Sequence, residues 1–335
     1  MNKISIESGS GPHTPALTSR DSKSPTFNCQ SPTNRYVALR EYVSNAPYSA
    51  KNYAYITFLG PHFQGKGRIE GNDDSEDTYF VAARILAYQF LHDPMTRSQN
   101  SYPFIVMTTT EVSESKRERL RQDGAQVITV ERLDLDWQDT QDVWRDVLTK
   151  LRLFELVQYD KLAFFDADTL LTRPMDDIFD DIAATEQEHL GIEEIKSDEA
   201  PQPKTYVFAG NEGANVFNKT YPPQQPGIHL NSGCMVFKPS KELFEHYLSI
   251  TKLENRYNGR YPEQGLWGYK QLDWKWNTNF VIWEDYLHGI ASLHMKWWWA
   301  DTGTDLGDWA HSIRWKMEGF WSAGGHNSMN QNQSI

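Results

Sequence analysis

A chain of 335 residues, 39% hydrophobic and 13% aromatic, can bury a substantial core, enough for one large α/β domain or two smaller ones. Its 33 basic and 45 acidic side chains leave a formal net charge of -12. That disfavours nucleic acid or an anionic membrane as partner, because neither is drawn to a negative surface without a basic patch, and no dense run of Lys and Arg occurs. An anionic substrate is not excluded, since a bound divalent ion reverses the local field.

Residues 1–48 are rich in Ser, Thr, Pro and Asn and read as a flexible leader. They hold no apolar stretch of signal-peptide length, and no run of about 18 apolar residues occurs in the chain, so no transmembrane segment is expected. The two cysteines, Cys29 in the leader and Cys234 in a later motif, read as reduced thiols of a cytoplasmic protein.

Regular structure is expected from Tyr53-Ala54-Tyr55-Ile56-Thr57-Phe58-Leu59, a strand, followed by a polar loop over 60–76. A helix over 78–92 follows, with Phe80, Ala83, Ile85, Leu86 and Phe90 as its apolar stripe; Asp93-Pro94 ends it. Strand 103–109, helix 113–123, strand 126–130 and helix 144–157 continue the alternation, which is the rhythm of a parallel sheet covered on both faces. No Gly-x-Gly-x-x-Gly turn follows the first strand, so a fingerprint dinucleotide fold is disfavoured.

The apolar run Leu162-Ala163-Phe164-Phe165 reads as a buried strand that ends in Asp166-Ala167-Asp168. Ligands of an open α/β sheet sit beyond the carboxyl ends of its strands, where Thr57, Phe58, Asp166 and Asp168 belong. Two carboxylates leaving the core together can share one hard cation and, through it, a diphosphate. As a bare pattern Asp-x-Asp is weak among 45 acidic residues; the strand behind and the apolar Thr169-Leu170-Leu171 ahead make it informative. Further on, an acidic stretch over 176–200 is expected to be helical and then loop. His229 to Pro239 reads as a polar turn, Asn231-Ser232-Gly233, feeding a strand, with a helix over 241–253. Tryptophans crowd beyond residue 260 (Trp267, Trp274, Trp276, Trp283 and Trp297 to Trp299) and read mainly as packing.

These motifs, in this order, resemble glycosyltransferase family 8, the group containing glycogenin and galactinol synthase. The resemblance spans roughly residues 52–300. It includes the first strand with Thr57, the helix Ala-Ala-Arg-Ile-Leu-Ala at 82–87, and Lys150 and Arg152 ahead of Tyr159-Asp160-Lys161. Asp166-Ala167-Asp168, Asn231-Ser232-Gly233 and Glu263-Gln264-Gly265-Leu266 complete it. It implies an α/β GT-A fold: a mostly parallel central sheet flanked by helices, with a Rossmann-like nucleotide-binding half. On that basis 49–325 forms a single catalytic domain and 326–335 a polar tail.

The implied activity is a retaining, Mn²⁺-dependent transfer (Mg²⁺ the alternative ion) of a hexose or N-acetylhexosamine from a UDP-sugar to a carbohydrate or small-molecule hydroxyl acceptor. A homodimer is also within the family's habit. The resemblance assigns the metal to Asp166, Asp168 and His294, with His288 in reserve. It assigns the nucleotide-sugar to Thr57, Phe58, Leu59, Tyr79, Lys150, Ala167, Ser232, Gly233 and Lys296. It gives the sugar-facing, catalytic positions to Asn231, Glu263 and Gln264. Two departures stand out: His294-Met295-Lys296-Trp297 is shorter than the family's metal-histidine segment and lacks its proline, and Glu263 replaces an aspartate. A UDP-sugar hydrolase and a noncatalytic nucleotide-sugar-binding protein are the competing readings.

Overall fold

The computed structural model describes residues 51–61, 63–64, 67–68, 77–133, 147–188, 196–213, 219–224, 230–253 and 268–325. The leader, the tail, Cys29 and the Glu263-Gln264-Gly265-Leu266-Trp267 segment lie outside them.

Strand β1 (Tyr53–Leu59) alternates strictly. Tyr53 and Tyr55 enter one core, while Ala54 and Ile56 enter another on the opposite face. This is the period-2 geometry of a strand buried on both sides. β2 (Phe104–Thr109) and β4 (Lys161–Phe165) repeat it: Phe104, Val106, Ala163 and Phe165 face the first core; Ile105, Met107, Leu162 and Phe164 face the second. Helix α1 (Thr78–Leu91) covers the first face and α3 (Lys241–Thr251) the second. Asp77 caps α1 by accepting from the Phe80 N–H at 3.1 Å, and its other oxygen takes the Lys116 ammonium at 2.6 Å. Helix α2 (Glu114–Gln122) and strand β3 (Gln126–Val130) complete this half.

Beside short two-residue ladders and 3₁₀ turns, the elements that follow are β5 (Thr169–Leu171), β6 (Phe208–Glu212), β7 (Leu230–Phe237), β8 (Lys270–Gln271), β9 (Asn277–Asn279), α4 (Trp283–Leu287), β10 (Ser292–His294) and α5 (Asp305–Ser322). The main sheet has seven strands in the order β8-β6-β7-β4-β1-β2-β3. The pairs β1–β2, β1–β4 and β2–β3 are parallel, whereas β7 runs antiparallel to both β4 and β6. The expected mostly parallel α/β sheet with a Rossmann-like half is therefore present. A second sheet, β9-β10-β5, stands beside it.

Two expected helices differ. Within 144–157, the described part is a 3₁₀ helix over Val147–Glu155. The stretch after Asp176 forms two short 3₁₀ turns, Asp176–Asp180 and Ile182–Ala184, and then extended chain. The Asp176 carboxylate is not a surface helix charge: it accepts from Tyr55 Oη at 2.5 Å and from the Gln99 and Asn100 N–H groups at 2.8 and 2.7 Å. Among the described residues, no helix is long and apolar enough to cross a membrane.

Candidate metal centre

β4 ends at Phe165, and the chain leaves the sheet at Asp166. A tight turn closes with the Thr169 N–H donating to the Asp166 carbonyl at 3.1 Å, and β5 follows at once. β10 pairs antiparallel with β5, setting His294 opposite Thr169, and the Met295 N–H donates to the Asp168 carbonyl at 2.8 Å. That register brings together side chains 126 residues apart in sequence (294 − 168). His294 Nε2 lies 3.1 Å from Asp168 Oδ1 and 3.7 Å from Asp166 Oδ2. One donor atom from each of Asp166, Asp168 and His294 falls within 4.8 Å of the others. Opposite ligands on an ion with bonds of ~2.2 Å are ~4.4 Å apart, so modest closure would let all three share an ion. Two carboxylates and an imidazole suit Mn²⁺, and the carboxylates alone also suit Mg²⁺.

Antiparallel pairing of β7 with β4 places Asn231-Ser232-Gly233 against this turn. Cys234 pairs with Phe165, and the Asp166 N–H donates to the Gly233 carbonyl at 2.9 Å. The three residues therefore lie inside β7 rather than in a turn before it, a correction to the sequence expectation. Asn231 Oδ1 accepts the Gly233 N–H at 3.0 Å and faces His294 Nδ1 at 3.3 Å. The backbone donor identifies this amide atom as the oxygen, so Nδ1 must carry the hydrogen. Nε2 is then the nitrogen turned toward the aspartates. Replacing Asn231 with alanine should weaken Mn²⁺ binding roughly 10- to 100-fold, as loss of a ligand's orienting partner commonly does. Asn231→Asp, which keeps the acceptor, should weaken it far less; Mn²⁺ titration of both variants checks this.

Charge around the triad is balanced by two lysines. Lys150, on the 3₁₀ helix and nearly buried, donates from Nζ to Asp166 Oδ1 at 2.8 Å. Lys296 holds its Nζ 4.7 Å from the Trp299 ring centre and 5.8 Å from that of Tyr79. Burial pushes the Asp168 carboxyl up, but the charge and hydrogen bond of His294, with Lys296 behind, outweigh it and leave the group below the ordinary aspartate value. Burial likewise pushes His294 down, and the Asp168 charge and hydrogen bond reverse it, so the ring is held above the ordinary histidine value. The two shifts describe one tightly paired unit. Tyr79 Oη is raised by burial first and then by the Asp168 and Asp166 charges, and its ring stands edge-on to Trp298 at 5.0 Å.

The other expected positions fall as follows. Thr57 and Leu59 are buried at the end of β1, and Phe58 between them is half-buried. The Thr57 hydroxyl finds no hydrogen-bond partner among the described residues. Ala167 and Ser232 are buried beside the triad's backbone. Arg152 donates to the Glu131 carbonyl at 2.6 Å and to Glu155 at 2.9 Å, a sheet-edge role. His288, the reserve ligand, lies outside the triad and stacks on Tyr221 at 3.9 Å. Glu263 and Gln264 are outside the described residues. Of the crowded tryptophans, Trp276 and Trp297 are buried, whereas Trp299 is 72% exposed.

No family model matches the chain. An uncharacterized protein of Schizosaccharomyces pombe (strain 972 / ATCC 24843) is 28% identical over 270 residues, 67% of this chain and 69% of that protein. Glycogenin-1 of Oryctolagus cuniculus is 27% identical over 197 residues, 57% of this chain. The match spans about half of glycogenin-1, 47% of its length. Among solved structures, an active-site mutant of LgtC is similar at 11% identity and a TM-score of 0.45, with 78% of this chain and 94% of that chain covered.

Proposed function

We propose that this chain is a GT-A-fold glycosyltransferase related to family 8, moving a hexose or N-acetylhexosamine from a UDP-sugar to a hydroxyl acceptor with retention. The observation that carries the reading is the convergence of Asp166, Asp168 and His294 at the carboxyl end of β4, the edge where an open α/β sheet receives its ligands. The donor set fits a divalent ion, and Gly233 leaves room for the His294 ring that a side chain would fill. The sequence likeness to glycogenin-1 supports a sugar-transfer role.

Asp166, Asp168 and His294 would hold Mn²⁺, or Mg²⁺ in its place. When bound, the ion supplies Lewis-acid stabilisation of the charge that develops on the leaving diphosphate. Lys150 and Lys296 are cations within the same site and suit the phosphate oxygens. Asn231 holds the imidazole, and Ser232 and Gly233 bring strand backbone close to the reacting sugar. Asn231, Ser232 and Gly233 are neutral, and Glu263, the carboxylate among the expected sugar-facing positions, lies outside the described residues. The reading favoured here is a front-face displacement, in which the acceptor hydroxyl attacks from the side the phosphate leaves and gives its proton to that phosphate. Thr57, Phe58, Leu59 and Tyr79 form the nucleotide wall in this reading.

The test is incubation of the full chain with UDP-glucose, UDP-galactose and UDP-N-acetylglucosamine, with and without Mn²⁺, following UDP release and intact protein mass. Metal-dependent release from one donor is the expected result. Added protein mass would identify the chain as its own acceptor, and unchanged mass would direct the search to external hydroxyl acceptors. Release unaffected by any acceptor would identify a hydrolase instead. Absence of both release and binding for every UDP-sugar in Mn²⁺ would overturn the donor class.

A further inference from the structure

α1 packs an almost wholly apolar face into the first core, and one amide interrupts it: Gln89, with no solvent exposure. A buried amide is costly unless its donors and acceptor are used. Gln89 Nε2 donates to the Leu171 carbonyl at 2.8 Å, and Gln89 Oε1 accepts the Leu171 N–H at 3.0 Å. Leu171 lies on β5, the edge strand of the small sheet β9-β10-β5. In a strand, one residue's N–H and C=O point the same way, and those of Leu171 point away from β10. The side-chain amide of Gln89 therefore takes the place a fourth strand would occupy.

β5 begins at Thr169, the residue after Asp168, and its other edge carries the β10 strand that ends in His294. A shift of β5 along α1 would carry one metal ligand directly and the other through the β10 register. Donor atoms must be placed to about 0.5 Å for a site to work; β10 holds one edge of β5, and Gln89 is what bonds the Leu171 backbone on the other edge. Two hydrogen bonds of opposite polarity on one residue fix both the height and the rotation of the strand.

We infer that Gln89 is a positioning residue for the metal centre, locking β5 so that Asp168 and His294 converge. The inference rests on the metal reading above. Gln89→Met keeps the volume and removes both bonds. Gln89→Glu keeps an acceptor for the Leu171 N–H, and only its protonated form, which burial favours, keeps a donor for the carbonyl. Leu120→Ala, a packing defect on α2 in the same core, is the stability control.

Mn²⁺ dissociation constants, read from the EPR signal of free Mn²⁺, are compared with urea midpoints for each protein. The expected result is a roughly 10-fold rise in Kd for Gln89→Met, the loss typical of outer-sphere partners. Gln89→Glu should rise less, and Leu120→Ala should be unchanged even with an equal or greater fall in midpoint. If Gln89→Met fails to fold, Gln89→Glu against Leu120→Ala decides alone. Wild-type affinity in the Gln89 variants, or an equal loss in Leu120→Ala, overturns the inference and leaves Gln89 a stabiliser only. Failure of the wild-type chain to bind Mn²⁺ is a separate result: it removes the metal reading, and the inference with it.

Discussion

Asp168→Asn should lower metal-dependent UDP release by about a thousand-fold, at the upper end of what loss of one electrostatic stabiliser of a transition state costs. Asparagine matches aspartate in shape, so the fold has no steric reason to change. What disappears is the charge. Asp168 is only 7% exposed, and its Oδ1 sits 3.1 Å from His294 Nε2. Little water reaches it to replace the lost charge, and an ion there would keep one carboxylate instead of two. Asp166→Asn should cost less, because Asp166 is more exposed and already shares its charge with Lys150 at 2.8 Å. Rates at saturating UDP-sugar, with and without Mn²⁺, together with Mn²⁺ titration, measure both. Asp168→Asn within a few-fold of wild type would mean that the aspartate pair caps the turn and holds no ion.

Much of this fold was legible because its signals are local. The β1, β2, β3 and β4 strands announce themselves as short apolar runs between polar turns, and helices α1, α2 and α3 end within two residues of the expected bounds. Asp77, Ser113 and Ser240 each accept from a first-turn N–H and so fix where those three helices begin. The stretch after Asp176 misled because its acids look like a helix surface. The decisive partners of Asp176, namely Tyr55, Gln99 and Asn100, are 76 to 121 residues away along the chain. Tertiary hydrogen bonds overrode local propensity there.

The site divides in the same way. Asp166 and Asp168 could be found from the strand behind them, since the strand, the turn and both carboxylates are contiguous. Nothing local marks His294 as their partner; the resemblance nominated it, and the β5–β10 register explains it. The clamp of Asn231 on the imidazole depends on β7 running antiparallel to β4, which no periodicity in either strand reveals. Gln89 carried a faint signal, a single amide in an apolar helical stripe, whose meaning appears only once Leu171 is seen opposite it.

Gly233→Ala should also be severely damaging, though less so than Asp168→Asn, and for a reason of space alone. The backbone at Gly233 is not in the left-handed region, so alanine meets no conformational penalty there. A methyl group, however, would stand 2.6 Å from His294 Cε1 and 2.8 Å from Asn231 Oδ1, and closer still to His294 Nδ1. Carbon atoms in contact prefer about 3.5–4.0 Å, so something must retreat. β7 cannot move easily, because the Asp166 N–H bonds the Gly233 carbonyl at 2.9 Å and Cys234 behind it is fully buried. The imidazole is the mobile partner, and tilting it away breaks its contact with Asn231 and carries Nε2 off the aspartates. Misplacement of about 1 Å can cost about 100-fold, and that is the expected loss in both Mn²⁺ affinity and UDP release. Far-UV circular dichroism and the urea midpoint should stay close to wild type, because the clash falls on a side chain at the site's edge and not on the sheet. Wild-type Mn²⁺ affinity in Gly233→Ala would show that His294 can hold the ion from another position, and that the glycine serves only the approach of the sugar.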